Sequence, residues 1–562
     1  MNENSAQFAH TVKANQQRLC ANLRSHYDFI VCGSGSSGSV VARRLAEDAN
    51  VSILLLEAGG EDDHPSVTEA GAWPTNLGSE RDWGFVAKPD PRLNGRSIPL
   101  SMGKVLGGGS SINVMIWARG HKSDWDFFAS EAGDQAWSYQ SVLDIYRRIE
   151  DWHGAPDPKY RGTGGIVFVQ PAPDPNPAAA AILEACRLIG IPVFENQNGC
   201  MMESDGGASI MDVRVRNGKR QSVFRSYVFP YMDRPNLTVL THAVVNRILF
   251  DGKRATGIEI SHLGATRRIH AGYEIVLSCG AIHTPKILMQ SGVGDQAELQ
   301  QFGIPVVQHL PGVGANFQDH VGLDCVWETP EPLPVRNNGA EATFFCRSDS
   351  GLDYPDIQVV LGTAPKTSAE NAAKFSLPSS GFTLFGGLER AKSRGRIRLT
   401  GPHPDDPLQI ETNFLSHPDD MKAAIACIGI CRDIGNSAPM KQFAKREIMP
   451  GNLKGADLED FIRNAASTYW HQTCTAKMGR DDMSVVDADL KVYGIDRLRI
   501  ADGSIMPRIT VGNTMAPCII IGERAGQMLQ SEHGLPVSLS AGSLRAARPE
   551  WKTSTRFHAQ LG

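Results

Sequence analysis

The stretch from Tyr27 to Glu57 constrains the fold of this chain more than any other part of the sequence. It reads "YDFIVCGSGSSGSVVARRLAEDANVSILLLE". An apolar run leads into Gly33, Gly35 and Gly38, a segment with helical spacing follows, and a second apolar run ends at Glu57. This order of strand, glycine turn, helix, strand and acid is typical of a dinucleotide-binding βαβ unit. The sequence therefore predicts an α/β fold with a parallel sheet at its centre.

The three glycines have separate physical roles in such a unit. Gly33 permits the tight turn, and Gly35 lets backbone N–H groups approach a pyrophosphate at the helix N-terminus. Gly38 allows the helix to pack closely on the strand. Glu57 is placed to accept hydrogen bonds from ribose hydroxyls. The alternative is a glycine-rich turn that binds nothing, and the motif alone does not distinguish NAD from FAD.

Composition narrows the class of protein. A chain of 562 residues predicts more than one folding unit. Its net charge of -5 argues against a nucleic-acid binder. The absence of a long apolar run predicts no membrane span, and an N-terminus without an apolar core predicts a cytoplasmic protein without a signal peptide. The 11 cysteines are scattered, so we expect buried thiols and no metal site.

The segment "GKVLGGGSSINVMIWARGHKSDWD" at 103–126 is a poor helix and a poor strand because of its consecutive glycines, and it suits a loop lying flat against a ligand. Two further segments are "GAIHTPKILMQSGVG" at 280–294, which follows a strand-like run, and "LRIADGSIMP" at 498–507, with an acid-glycine pair after an apolar run. With the βαβ unit, these segments make the chain resemble the glucose–methanol–choline (GMC) family of flavin oxidoreductases. The resemblance extends over residues 26–530.

The resemblance implies two interleaved domains. One is an α/β flavin domain, Rossmann-like and of the FAD/glutathione-reductase type, and the other is an α+β substrate domain that carries an antiparallel sheet. The expected flavin-domain pieces are 26–70, 101–125, 225–320 and 460–530. The expected substrate-domain pieces are 71–100, 126–224 and 321–459. Residues 1–25 are expected to form a helical N-terminal extension, and 531–562 a C-terminal tail.

The family resemblance also implies FAD as the cofactor. We expect it to be noncovalent, because Ile112 stands where some relatives carry a histidine bonded to the flavin. The FAD-contacting positions implied by the resemblance are Gly33, Gly35, Gly38, Glu57, Leu106, Gly107, Asn113, Met115, Val245, Asp502, Gly503 and Thr514.

The catalytic pair implied by the resemblance is His471, in "WHQTC", and Asn513, in "VGNTM". Oxidising an alcohol requires loss of a hydroxyl proton and transfer of a hydride to flavin N5. A free imidazole, with a pKa of about 6.5, suits proton abstraction near neutrality and predicts a rate that rises with pH. Asn513 can donate a hydrogen bond to the developing alkoxide. For any isolated histidine, the alternative is a structural role. His320, in "NFQDH", resembles a structural motif of the family and receives no catalytic role here.

The substrate is less constrained by the sequence. Trp470 is either a wall of the substrate pocket or a core aromatic, and similar Trp-His pairs in aryl and furfuryl alcohol oxidases favour an aryl or heteroaryl primary alcohol. A choline-type, aliphatic or sugar alcohol is the alternative, and a hydroxynitrile-type lyase or a flavoprotein without catalysis are alternatives of other classes. The polar segment 361–381 is either a lid or a plain surface loop. The electron acceptor, O2 or another molecule, and a homo-oligomeric state stay open.

Overall fold

A computed structural model of the protein describes residues 3–536. In this range the chain forms two seven-stranded sheets with helices packed against them. None of the helices in these residues combines the length and the apolar character needed to cross a bilayer. Of the tail expected at 531–562, residues 537–562 lie outside the described part of the chain.

The helices vary from single turns to long segments that cover a sheet. In chain order they are α1 (Glu3–Ala21), α2 (Ser36–Leu45), α3 (Pro65–Thr68), α4 (Lys122–Ala132), α5 (Tyr139–Ile149), α6 (Pro177–Leu188), α7 (Val223–Tyr227), α8 (Gly280–Gln290), α9 (Gln296–Gln301), α10 (Ala369–Phe375), α11 (Pro418–Gly435), α12 (Gly455–Ala465) and α13 (Met515–Glu532).

Most strands belong to the two large sheets, and the others form short ribbons. In chain order they are β1 (His26–Cys32), β2 (Ile53–Leu56), β3 (Phe85–Val86), β4 (Pro99–Leu100), β5 (Glu150–Trp152), β6 (Val167–Pro171), β7 (Gly207–Ile210), β8 (Asp212–Val213), β9 (Val215–Arg216), β10 (Lys219–Arg220), β11 (Leu237–Leu240), β12 (Ala243–Asp251), β13 (Arg254–His262), β14 (Ala265–Leu277), β15 (Val293–Gly294), β16 (Gln308–His309), β17 (Val321–Glu328), β18 (Ala342–Cys346), β19 (Ile357–Gly362), β20 (Gly381–Leu388), β21 (Arg396–Leu399), β22 (Leu408–Glu411), β23 (Arg446–Met449), β24 (Ser467–Thr468) and β25 (Leu498–Ile500).

The first sheet contains the predicted βαβ unit as β1, α2 and β2. Strand β1 lies parallel to β2 and to β14, and β11 and β25 extend the parallel part on either side. Strands β12 and β13 continue the sheet beyond β14 in antiparallel register. All four residues of β2 are buried, as expected for a strand with helices or chain on both faces. The glycine turn after β1 therefore opens at the carboxyl edge of a parallel sheet, where α/β folds bind ligands.

The second sheet is antiparallel throughout, in the order β23, β17, β20, β19, β18 and β7, with β24 paired to β17. Helices α6 and α11 pack against it. The predicted combination of a Rossmann-like domain with a domain carrying an antiparallel sheet is confirmed. The exact residue boundaries of the interleaved pieces stay a prediction. Strand β24 lies inside the 460–530 piece that is predicted for the flavin domain. It nevertheless pairs with β17 of the second sheet, with Thr468 opposite Val321.

The N-terminal helix covers the edge of the first sheet. The side chain of Gln16 donates to the carbonyls of Met232 and Leu237 at 2.7 and 3.0 Å and accepts from the backbone N–H of Val239 at 2.9 Å. It thereby satisfies backbone groups along β11, an edge strand that would otherwise expose them. Helix α1 is thus an integral part of this domain.

Candidate active site

A cavity of about 670 Å³ lies between the two sheets. One end is formed by the glycine turn after β1 and by the chain around Asp502, and the other by β19, β20 and the segment around His471. The cavity therefore joins a cofactor-like cradle to an aromatic pocket. Of the predicted site residues, Gly33, Gly35, Glu57, Asn113, Val245, Trp470, His471, Asp502, Gly503, Asn513 and Thr514 line it.

The three glycines of the turn differ in what surrounds them. A Cβ on Gly33, whose φ is +99°, would lie 2.3 Å from the carbonyl oxygen of Ser278, and one on Gly38 would lie 2.0 Å from that of Gly33. Backbone atoms therefore leave no room for a side chain at either position. Around Gly35 no atom lies within 4 Å of where a Cβ would be, and the residue lines the cavity. The space at Gly35 is a cradle for a ligand, beside the N-terminus of α2.

Glu57 is a buried carboxylate at the carboxyl end of β2. It accepts from the hydroxyl of Ser34 at 2.6 Å and from the backbone N–H of Gly59 at 2.9 Å. Burial raises the pKa of Glu57, and these hydrogen bonds oppose the rise. The backbone N–H of Ser34 makes a third contact at 3.3 Å. A carboxylate has about four acceptor sites, so Glu57 keeps capacity for one further donor in the cavity.

Asp502 fixes the opposite side of the cradle. One oxygen accepts from the N–H of Gly280 at 2.9 Å and from the hydroxyl of Thr284 at 2.6 Å, and the other accepts from the N–H of Ser504 at 2.8 Å. These bonds tie the start of α8 to the turn after β25. Gly503 and Thr514, the latter at the N-cap of α13, line the cavity next to it.

Four predicted cofactor positions do not line the cavity: Gly38, Leu106, Gly107 and Met115. Met115 has a left-handed φ of +59°, and its side chain packs in a buried apolar cluster. The reversal of the chain at Met115 leaves Ile112, Asn113, Val114 and Ile116 as the cavity-facing residues of this segment. Leu106 and Gly107 support the turn from behind: the Leu106 carbonyl accepts from Ser111, and a Cβ on Gly107 would lie 2.3 Å from the Ser111 hydroxyl oxygen.

His471 and Asn513 meet at the cavity wall. The amide nitrogen of Asn513 lies 3.2 Å from His471 Nε2, and the Asn513 carbonyl oxygen lies 3.5 Å from the Gln358 amide nitrogen. Since that oxygen faces a donor, the Asn513 amide donates to Nε2, which then carries a lone pair. The other ring nitrogen, Nδ1, lies 2.9 Å from Nδ1 of His320 and is the N–H donor of that pair.

Burial sets the protonation state of this imidazole. His471 is 8% exposed, and desolvation lowers its pKa to about 3. The ring is therefore neutral across the physiological range. We therefore expect no rise in rate across this range, in contrast to the expectation for a free imidazole, because burying the charged form has a cost that the free value does not include.

The backbone around His471 is unusual. Trp470 and Cys474 have left-handed φ values of +62° and +75°. Such conformations cost about 1–3 kcal/mol each for residues other than glycine and persist where the surroundings fix them. Here Asp319 accepts from the N–H of His471 at 2.8 Å, and Thr468 accepts from the N–H of Trp470 at 2.7 Å. The turn thus presents the imidazole to the cavity.

Sequence reasoning missed the groups behind the imidazole. His320 is fully buried, and its Nδ1 lies 3.3 Å from an oxygen of Glu389, which is also fully buried. Burial lowers the pKa of His320 well below its usual value and raises that of Glu389 well above its own, so burial disfavours the charged form of both groups. The available signal was a polar residue next to an apolar strand-like run, because His320 precedes β17 and Glu389 follows β20. This signal does not show that the two residues meet.

Aromatic rings form the second half of the cavity wall. The rings of Phe385 and Tyr469 are stacked, with centroids 4.2 Å apart and planes at 7°, and Trp470 lies 6.2 Å from Phe385. Trp73 faces the same space and donates its indole N–H to the Asn338 carbonyl at 2.9 Å. This end of the cavity therefore presents flat apolar faces.

Comparison with known proteins gives a consistent assignment. Residues 27–322 match the N-terminal model of the GMC oxidoreductase family and residues 391–522 its C-terminal model. The chain is 36% identical to an oxygen-dependent choline dehydrogenase of Brucella anthropi, over 94% of this chain and all of that protein. It is 37% identical to one of Escherichia coli, over 91% and 97%. The structure is similar to pyridoxine 4-oxidase from Mesorbium loti, with a TM-score of 0.85, 30% identity and coverage of 90% and 99%.

Proposed function

Because the chain belongs to the GMC oxidoreductase family, we propose that it oxidises a primary alcohol on an aromatic or heteroaromatic ring to the aldehyde, with His471 as the base. The protein is an FAD-dependent oxidoreductase that acts on alcohols. The finer assignments, which are the substrate class and the roles of individual residues, are the proposal.

The cradle at the first sheet fits the cofactor. The open space at Gly35 can take a phosphate group, Glu57 can accept from ribose hydroxyls, and Gly503 and Thr514 lie on the opposite wall. At position 112 the chain has an isoleucine, which offers no atom for a covalent link. When bound, FAD supplies the acceptor for the two electrons and the hydrogen that leave the alcohol carbon.

The observation that carries the proposal is the pairing of His471 Nε2 with the Asn513 amide at 3.2 Å, on the cavity wall. An alcohol oxygen that lies against both groups and takes the place of their direct contact gives its proton to the Nε2 lone pair and accepts a hydrogen bond from the amide. The neutral imidazole offers the lone pair for this proton, with a basicity lowered by burial, and Asn513 stabilises the charge that develops on oxygen. The N–H at Nδ1, held by His320, fixes the tautomer that makes this possible.

The aromatic wall supports a ring-bearing substrate, since the stacked Phe385 and Tyr469 and the indole of Trp470 offer flat apolar faces. Choline is the second candidate. It is supported by the choline dehydrogenases among the relatives and by the affinity of aromatic faces for quaternary ammonium groups. The two candidates differ in charge, which makes them easy to separate.

The test is an anaerobic titration of the purified holoenzyme with benzyl alcohol, furfuryl alcohol, choline, an aliphatic alcohol and a sugar. We expect the aryl and heteroaryl alcohols to bleach the flavin absorbance fastest, with choline far slower. Bleaching by choline alone would overturn the aryl assignment in favour of the second candidate. Bleaching by no alcohol would instead favour a lyase with a flavin that does not turn over. Admission of air then separates O2 from other acceptors by the speed of reoxidation.

The rate of flavin reduction is expected to change less than about threefold between pH 5 and pH 8. A pKa of about 3 for His471 means that the base is neutral at every pH in this range, and protonation reduces the rate only as the pH falls towards that value. The measurement is anaerobic rapid-mixing reduction at saturating benzyl alcohol and constant ionic strength.

One other group beside the base titrates in that range. Burial raises the pKa of Asp319 to about 7, and its oxygen contacts the backbone of His471. The variant Asp319→Asn therefore serves as the control and should also give a flat profile. A sigmoidal rise centred near pH 6.5 in both proteins would contradict the assignment of a deeply desolvated base.

Replacing His320 by alanine is expected to slow flavin reduction about 10- to 100-fold and to leave FAD bound. His320 is a positioning residue: without it the N–H at His471 Nδ1 loses its partner, and the ring can rotate away from Asn513. The limiting rate of reduction should fall more than the apparent substrate affinity. His320→Gln, whose side-chain carbonyl can accept from Nδ1–H, should recover part of the rate, and an equal loss in both variants would exclude positioning.

A further inference from the structure

A lysine stands at the rim of the aromatic pocket. The ammonium of Lys366 lies 4.4 Å from the ring centroid of Phe385 and 4.5 Å from that of Trp470. It lines the cavity, and in the described part of the chain no other lysine or arginine does so. The residue is itself exposed, so its charge is accessible to a ligand that enters from outside.

The backbone of Lys366 is anchored to the second sheet. Its N–H donates to the hydroxyl oxygen of Thr383 on β20 at 2.9 Å, and that hydroxyl lies 2.9 Å from the carbonyl of Ala364. The polar segment 361–381 therefore begins as a fixed wall: Gly362, Thr363 and Ala364 also line the cavity. The lysine side chain starts from a defined point above the aromatic rings.

No carboxylate neutralises this ammonium directly. Within residues 3–536, Lys366 forms no ion pair. The acid that senses its charge is the buried Asp324, whose pKa is raised to about 6 by burial and lowered in part by Lys366 and Arg96. The acids that do line the cavity, Glu57 and Asp502, belong to the cofactor cradle and are engaged there. Among the described residues, the lining of the substrate end of the cavity thus contains one cationic side chain and no carboxylate.

The lysine also changes what the aromatic rings can bind. The faces of Phe385 and Trp470 that would attract a quaternary ammonium already carry the Lys366 ammonium. A second cation at this place would be repelled by the first. A carboxylate would instead gain a charge-assisted hydrogen bond while its ring packs against the same aromatic wall.

We propose that Lys366 is a specificity-determining residue that selects an alcohol with an anionic group, a carboxylate in the first instance, at the end of the molecule remote from the reacting hydroxyl. The placement of the lysine supports this arrangement, because Lys366 and His471 line the same cavity. The Lys366 ammonium lies over Trp470, the residue that precedes His471, and over Phe385, which stacks on Tyr469 at 4.2 Å. An alcohol held against these rings can direct its hydroxyl towards His471 and an anionic group towards the lysine. The inference rests on the proposed function and names its substrate class.

The first test is binding, which needs no turnover. The holoenzyme is titrated with benzoate and with benzamide, its neutral isostere, and the dissociation constants are read from the perturbation of the flavin spectrum. We expect benzoate to bind about tenfold more tightly than benzamide at low salt, and this ratio to fall as ionic strength rises. Lys366→Met should bring the ratio close to one, Lys366→Arg should retain it, and Lys366→Glu should invert it.

The second test is turnover with 4-(hydroxymethyl)benzoate, its methyl ester and choline. We expect the acid to have the highest kcat/KM, with the difference from the ester carried mainly by KM. The control is Lys374→Met, which removes an exposed ammonium from α10, where Lys374 pairs with Asp460 at 3.4 Å outside the cavity. This variant should keep the preference of the wild type.

The outcomes separate the two proposals. Equal binding of benzoate and benzamide, or a preference that survives in Lys366→Met, overturns the role of Lys366. A preference for benzoate that depends on Lys366, in an enzyme whose flavin no alcohol reduces, supports the anion site and overturns the proposed oxidation instead. Faster turnover of choline than of the acid contradicts the inference directly.

Discussion

Replacing His471 by alanine is expected to slow flavin reduction by an alcohol about 10²- to 10⁴-fold, the range that a positioned general base contributes, and to leave FAD bound. The substitution removes the Nε2 lone pair that faces Asn513 and leaves no group in the same place to take the hydroxyl proton. The cofactor cradle around Gly35 and Glu57 is built by other elements and should keep its shape. The measurement is anaerobic rapid-mixing reduction, together with the ratio of FAD to protein from the absorbance spectrum.

A second substitution separates proton removal from packing. His471→Gln keeps a planar polar side chain of similar volume that can hydrogen-bond but cannot accept a proton at neutral pH, so it should be nearly as slow as the alanine variant. His153→Ala is the matched control, because His153 is exposed and its ring contacts Asp151 at 3.0 Å and Phe168, none of which lines the cavity. Reduction by His471→Gln at a rate near that of the wild type would reject His471 as the base.

The sequence predicts the first sheet well because its signals are local. The stretch from Tyr27 to Glu57 contains a buried strand, a glycine turn, an amphipathic helix and a second strand in succession. Each element can be recognised from its own residue types or hydrophobic periodicity, without knowledge of the rest of the chain. The same holds for the glycines. The tight turn at Gly33 and the close packing at Gly38 follow from residue type and spacing, and the structure places backbone atoms there.

The side chains that support His471 could not be predicted in the same way. His320 and His471 are 151 residues apart in the chain, and they meet because β24 pairs with β17, with Thr468 opposite Val321. That register depends on the whole antiparallel sheet. Glu389 joins the pair from the end of β20, which lies next to β17 in the same sheet. No local pattern encodes such a meeting of three buried polar groups.

The direction in which a side chain points is a second property that the sequence does not predict. In the segment after Gly109, alternation of side chains cannot tell which residues face the cavity, because the left-handed φ at Met115 reverses the chain and turns its side chain into the core. The position of Lys366 could not be predicted either. Its polar segment fits a lid or a surface loop, and only the structure shows that its ammonium lies over the rings of Phe385 and Trp470.

Replacing Gly35 by valine is expected to give a folded protein that has lost its flavin, with FAD affinity lowered about 10- to 100-fold. The φ of Gly35 is −62° and its ψ is −169°, an extended conformation that valine adopts, and no protein atom lies within 4 Å of the new Cβ. The fold therefore has room for the side chain. The room is the cavity itself, so the two methyl groups occupy space that the cofactor needs at the N-terminus of α2.

Two other glycines show whether this reasoning is correct. Gly429→Val introduces the same side chain at an exposed position on α11 where a Cβ also meets nothing within 4 Å, and it should leave both the fold and the flavin content unchanged. Gly38→Ala adds only one carbon, but that carbon would lie 2.0 Å from the carbonyl oxygen of Gly33, so we expect the protein to fold poorly or not at all.

Circular dichroism, thermal unfolding and flavin absorbance of the three variants distinguish these results. A Gly35→Val protein with full flavin content would show that the cofactor does not approach the turn there. Misfolding of the same variant would show that the open space at Gly35 is needed by the chain and not by the cofactor.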